Sequence, residues 1–125
     1  MQTILDFPLH GIRRKPLRFV SAGVLLEYIN DETVKPGYMH IVTRIAVENE
    51  TTLFTRFRIG VWDGSNFHLS EEQKSPAAAT LYWTTDPIYL SEGENLRIEL
   101  KGCTSGDVVR VYVDSFIKLL KEGGA

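Results

Sequence analysis

The feature that most constrains this chain is a period of two in its apolar residues, repeated in four separate stretches. Met39, Ile41, Ile45 and Val47 are apolar with Arg44 and Glu48 on the alternate positions. Leu53, Phe57, Ile59 and Val61 repeat the pattern against Arg56 and Arg58. Leu96, Ile98 and Leu100 alternate with Arg97, Glu99 and Lys101, and Val109, Val111 and Val113 alternate with Arg110 and Asp114. Successive side chains of a strand point to opposite faces, so each set defines one apolar face of a pleated strand. No window carries a helical stripe; "FIKLLKEGGA" reads as a short closing helix or as the end of a strand.

The breaks between these stretches are turn chemistry. "NDET", "KPG", "NETT", "DGS", "SEGEN" and "GCTSGD" supply the Asn, Asp and Gly residues that tolerate left-handed backbone. "EEQKSPAAAT", from Glu71 to Thr80, reads as a long surface loop, and the last two alternating stretches read as a hairpin closed by "GCTSGD". Six to eight short strands at this spacing predict an all-β fold. The expected architecture is an antiparallel two-sheet β-sandwich, jelly-roll or Ig-like, with an extended N-terminal arm. The expected divisions are an arm over 1–18, the sandwich over 19–120 and a flexible tail over 121–125.

Length and composition agree with one domain able to bury a core without staples: 125 residues, 43% hydrophobic and 24% charged. The single cysteine, Cys103, has no partner for an internal disulfide and reads as a small filler. No apolar run approaches the ~20 residues of a membrane span, and the N-terminus lacks the order of a signal peptide, so no membrane partner is expected. The net charge of −2 gives no global attraction to nucleic acid. Charge is nevertheless uneven. Between Phe7 and Leu26 stand Arg13, Arg14, Lys15 and Arg18 and no acid; removing these four charges from −2 leaves −6 on the remainder.

The arm also carries Pro8 and Pro16, which cannot donate to a sheet ladder and favour edges. Its apolar Ile4, Leu5, Phe7 and Leu9 need a surface to dock on, either this sandwich or a neighbouring subunit. Arg13, Arg14, Lys15 and Arg18 then read as contacts to an acidic neighbour or to nucleic-acid phosphates. Four charges give only modest, salt-sensitive affinity for the latter.

Catalytic signatures are missing from the sequence. His10, His40 and His68 are far apart without a Cys or acid at ligand spacing and read as surface or edge histidines. Neither a Gly-x-Ser-x-Gly elbow nor a Walker loop occurs. No enzyme activity, cofactor or metal is therefore expected. Trp62, Tyr82 and Trp83 form a candidate ligand platform, since flat aromatic rings with polar neighbours are how carbohydrate-binding β-sandwiches stack on sugars; the plainer reading is core or interface aromatics. Asn49-Glu50-Thr51 matches a glycosylation sequon but reads as a turn. Arg44, Arg56 and Arg58 are expected to share one face of two strands joined by "NETT", with Glu48, Glu99 or another chain compensating them.

The stretches "PGYMHIVTRIAVENETTLFTRFRIGVWDG" and "DPIYLSEGENLRIELKGCTSGDVVRVYVDSF" carry a recognisable order. A Pro-Gly step precedes a long strand, a short Asn/Thr turn and a second long strand. Pro87, Ile88, Leu90, Gly93 and Glu94 then lead to a final pair with Gly106 and Asp107 in its turn. This order, over residues 36–117, resembles small β-sandwich virion proteins of tailed bacteriophages; the arm has no matching motif. The resemblance implies a non-enzymatic structural protein of the virion, as a capsid decoration, collar, adaptor or tail component assembled in the host cytoplasm. It also implies a homo-oligomer, trimer or ring, touching other virion proteins, with nucleic acid reachable only through the arm. The alternative is a carbohydrate-binding module or receptor-binding head using the tryptophans.

Overall fold

Alternating β-branched and aromatic residues between Gly- and Asn-rich turns produce nine strands in the computed structural model, which describes residues 9–120. They are β1 (Leu9–Val20), β2 (Leu26–Asn30), β3 (Tyr38–Asn49), β4 (Arg56–Trp62), β5 (Phe67–Lys74), β6 (Tyr82–Thr84), β7 (Ile88–Leu90), β8 (Asn95–Lys101) and β9 (Val108–Leu119). All pairings are antiparallel. Sheet A has the order β1-β9-β3-β6, with β7 also paired to β3; sheet B has the order β2-β8-β4-β5. The expected two-sheet β-sandwich is therefore the fold.

The core lies between the sheets. Ile45 and Val47 of β3 and Val109, Val111 and Val113 of β9 meet Phe57 and Ile59 of β4 and Leu96, Ile98 and Leu100 of β8. Each such side chain contributes roughly 1.5–3 kcal/mol when fully buried. Phe57 also meets Phe54 and Tyr82, with ring centroids 6.3 and 6.0 Å away.

Four local expectations change. The stretches 96–100 and 109–113 are not a hairpin: β8 belongs to sheet B and β9 to sheet A, so "GCTSGD" carries the chain from one sheet to the other. "NETT" does the same between β3 and β4. A strand with one apolar face fits a hairpin and a sheet-to-sheet crossing equally well, because both leave that face inward. "EEQK" is the second half of β5, paired with β4 through Ile59↔Glu71 and Arg56↔Lys74, and the loop begins only after Lys74. The segment assigned to an arm through residue 18 is strand from Leu9 onward, paired with β9 along its length. Pro16 sits on this edge strand, where a missing N–H costs the ladder nothing. The C-terminal segment continues β9 to Leu119 rather than closing as a helix.

The register of β3 shifts between Val42 and Arg44, making Thr43 an extra residue whose Oγ1 donates to the Asp114 carbonyl at 3.2 Å. A bulge reverses the alternation. Ile45 and Val47 face the core, but so do Val42 and His40, while Ile41 and Met39 face outward. His40, read from the sequence as a surface residue, is consequently buried.

Candidate functional site

The outer face of sheet A is built from side chains directly opposite one another across the ladder. One row runs Ile12, Phe116, Ile41 and Tyr89 over four strands. Ile12 is 61% exposed and Tyr89 51%, whereas Ile41, between the two aromatic positions, is almost completely covered. The next row is Arg14, Asp114 and Arg44, with Arg44 Nε 3.6 Å from Asp114 Oδ2. A third row runs Pro16, Tyr112, Ala46 and Trp83. Trp83 is 62% exposed, and the Arg44 guanidinium lies 5.7 Å from its ring centroid. Arg18, Arg110 and Glu48 form the fourth row, and Arg110 pairs with Glu50 at 2.8 Å. The face is thus two apolar rows enclosing an ion-pair row, with a shallow depression of about 170 Å³ bounded by Arg14, Pro16, Arg44, Tyr112 and Asp114. Its cations, Arg14, Arg18, Arg44, Arg110 and Lys118, outnumber its acids, Glu48 and Asp114 with Glu50 at its end.

Alternation along β1 splits the basic cluster in two. Arg14 and Arg18 point outward and have no ion-pair partner among the described residues. Arg13 and Lys15 point inward. Arg13 grips the buried Asp31 carboxylate through both terminal nitrogens, one bond measuring 2.8 Å, and its Nε reaches Glu32 at 2.9 Å. Lys15 Nζ stands 3.8 Å from Asp31. These contacts tie the edge of sheet A to the loop after β2 of sheet B. Burial raises the Asp31 carboxyl, but the hydrogen bonds and charge of Arg13 outweigh it and hold the carboxyl below its usual value. Burial and the neighbouring Arg13 push His40 down. Ile4, Leu5 and Phe7 lie outside the described residues; Leu9 pairs with Lys118 as the first residue of β1.

Trp62, Tyr82 and Trp83 do not share a surface. Trp83 is on the outer face of sheet A, Trp62 on the outer face of sheet B, and Tyr82 packs inward against Phe57 while its hydroxyl accepts the Ala77 N–H at 2.8 Å. On sheet B, the Arg97 guanidinium carbon lies 3.8 Å from the Trp62 centroid and 4.9 Å from that of Tyr28. Gly60 is directly opposite Arg97 in the register. A Cβ there would stand 2.1 Å from the His68 carbonyl oxygen and 2.9 Å from the Phe67 ring, because the bulge in β5 presses that strand onto β4.

Arg44 is not a neighbour of Arg56 and Arg58, since β3 and β4 lie in different sheets. Arg56 and Arg58 do have the expected internal partner: both reach Glu99, at 3.5 and 4.0 Å, and Arg58 holds Glu72 at 2.7 Å. His68 bonds Asp63 at 2.7 Å on the surface, and that bond with two backbone N–H groups lowers the Asp63 carboxyl to about 2. Asn49 is buried; it donates to Asp107 at 3.0 Å and accepts the Thr51 N–H at 2.9 Å, which makes it the pin of the turn rather than an exposed sequon. Cys103 packs beside it, and burial with the Asp107 and Glu27 charges pushes its thiol up to about 12.

Tyr112 and Phe116 were the signal for the sheet A face. Both occupy the alternate, otherwise charged positions of β9, where apolar residues have no core to serve.

No protein-family model matches the chain, and no curated protein sequence matches it. Two solved structures are distantly similar to this chain. One, described as "CBM4 structure and function", is 12% identical over 82% of this chain and 81% of that one, with a TM-score of 0.36. Another is the exo-beta-1,3-galactanase of Phanerochaete chrysosporium with galactose, 15% identical over 88% of this chain, with a TM-score of 0.38. This chain spans only 28% of the galactanase.

Proposed function

We propose that this is a non-enzymatic structural protein of a phage virion that assembles by self-association through the outer face of sheet A. The supporting observation is the pair of apolar rows, Ile12/Phe116/Ile41/Tyr89 and Pro16/Tyr112/Ala46/Trp83, on a face turned away from the core. Exposed apolar side chains such as Ile12, Phe116, Tyr89 and Trp83, interspersed with charge, suit a protein interface. Aliphatic Ile12 and Pro16 suit burial against protein better than stacking on sugar. The surplus cations Arg14 and Arg18 suit a partner surface that is acidic, and the chain away from its basic N-terminal segment is acidic. The resemblance of residues 36–117 to small virion β-sandwich proteins supplies the setting, in which a ring or trimer uses one such contact repeatedly.

Light scattering across concentration tests this reading. The parent protein is expected as a discrete oligomer, and Ile12→Glu together with Phe116→Glu as a folded monomer. An unchanged mass in the double variant removes the sheet A interface.

A second reading, carbohydrate binding, rests on Trp83, which is 62% exposed with the Arg44 guanidinium 5.7 Å from its ring centroid. A glycan array in which binding is lost on Trp83→Ala supports it; a blank array for the parent removes it.

A further inference from the structure

On the opposite side of the sandwich, Arg97 is fixed in place but not neutralised. Its guanidinium is flanked by Trp62 on one neighbouring strand and Tyr28 on the other, and its Nε donates to Asn30 Oδ1 at 2.7 Å. The two acids of that face are engaged elsewhere: Glu72 with Arg58 at 2.7 Å, Glu99 with Arg56 at 3.5 Å. Arg97 therefore has no carboxylate partner among the described residues, and its two terminal nitrogens have no hydrogen-bond partner there. Among the described residues Arg14 and Arg18 also have no ion-pair partner, and no ring or side-chain hydrogen bond there restrains them. Among the described residues, Arg97 combines restraint with uncompensated charge.

We propose that Arg97 is a preformed receptor for a side-chain carboxylate of a second protein, presented within an apolar segment. A guanidinium lying close to two rings, with its Nε occupied, leaves the two terminal nitrogens as a forked pair of donors able to bind a carboxylate bidentately. The ordering cost of the long side chain is met before the partner arrives. The surroundings define the rest of that partner. Leu69 is 53% exposed and Tyr28 43%, and Phe67 lies over Gly60, so apolar side chains beside the carboxylate would be buried. Glu72 and Glu99 on the same face would stand against a continuous run of phosphates or uronates but not against a single carboxylate. This inference concerns the face opposite the self-association surface and does not depend on it.

The test is a titration of the full chain with N-acetyl-Leu-Glu-Phe-amide, following the Trp62 indole N–H and the Arg97 Nε–H by NMR. Its comparators are the same peptide with Gln for Glu, oligothymidylate and polygalacturonate. The Glu peptide is expected to shift both signals saturably and the Gln peptide to leave them in place. Binding should weaken about tenfold or more in Arg97→Lys, which keeps the charge without the fork. It should weaken also in Asn30→Ala, which frees Nε; that variant and the peptide pair decide the matter where Arg97→Lys does not fold. Equal shifts with both peptides, no shift with either, or binding of oligothymidylate or polygalacturonate alone would overturn the proposal.

Discussion

The two outer faces of the sandwich carry the same kinds of residue arranged to opposite ends. On sheet B, charges and rings satisfy one another: Arg56 and Arg58 hold Glu72 and Glu99, and Arg97 stacks on Trp62 and Tyr28. On sheet A, apolar side chains line up in rows, with Ile12, Tyr89 and Trp83 more than half exposed and Arg14 and Arg18 without an ion-pair partner among the described residues. On the first face Arg97 is restrained but lacks a carboxylate partner among the described residues. The second pairs some of its charges, Arg44 with Asp114 and Arg110 with Glu50, but leaves large apolar side chains exposed. Exposed residue counts alone would not separate them; the cross-strand register does.

The two sheets are joined by the apolar core and, at one edge, by the Arg13–Asp31 pair, and breaking that pair gives the largest effect of the changes considered. Arg13→Ala removes the forked partner of Asp31, 3% exposed at its side chain, and leaves that carboxylate with only Lys15 at 3.8 Å and the Glu32 N–H at 2.8 Å. Loss of one partner of a buried pair costs about 3–5 kcal/mol, and urea unfolding is expected to show a loss on that scale. Next, Gly60→Ala sets a Cβ against the His68 carbonyl, backbone that cannot swing aside. Overpacking of this kind costs roughly 1–3 kcal/mol, and it should separate β5 from β4 and disturb the Trp62–Arg97 stack while the sheet A face stays intact. Ile12→Glu and Phe116→Glu, in contrast, sit on the sheet A surface and should leave stability within about 0.5 kcal/mol while abolishing self-association.

The smallest effect is in pH. His40 titrates lower in the folded chain than its ordinary 6.5, held neutral by burial and by Arg13, with Asp31 and Glu32 opposing. The unfolded chain thus takes up the proton first, and the contribution of His40 is complete above about 6.5 and lost as pH falls below it. Asp31 acts in the same direction lower down: its stabilisation is present above 3.8 and disappears as pH falls through its depressed folded value. Melting temperature should therefore fall from pH 7 to pH 5, and His40→Gln should flatten that part of the curve.

The sandwich was legible because β4, β8 and β9 keep a strict period of two, and a face buried on one side cannot be written otherwise. Connectivity was not. "GCTSGD" and "NETT" are turn sequences whether they join neighbours in one sheet or cross between two, so the last hairpin and the Arg44/Arg58 neighbourhood were both misplaced. The bulge at Thr43 left no local mark, since Met39 and Ile41 are apolar whichever way they face, and it carried His40 into the interior. Alternation in β1 was readable in principle: Arg13 and Lys15 share a parity with Leu17 and Phe19, which pack on the core. Treating the four cations as one cluster concealed that two belong to the sandwich and two to its surface.

The two tryptophans, one on each outer face, report on the comparison itself. The deciding measurement is acrylamide quenching of the single-tryptophan variants Trp62→Phe and Trp83→Phe across protein concentration. Self-association through sheet A predicts that Trp83 becomes shielded as concentration rises while Trp62 stays as accessible as in the dilute protein. Shielding of Trp62 instead, or of neither ring while the mass increases, would contradict it.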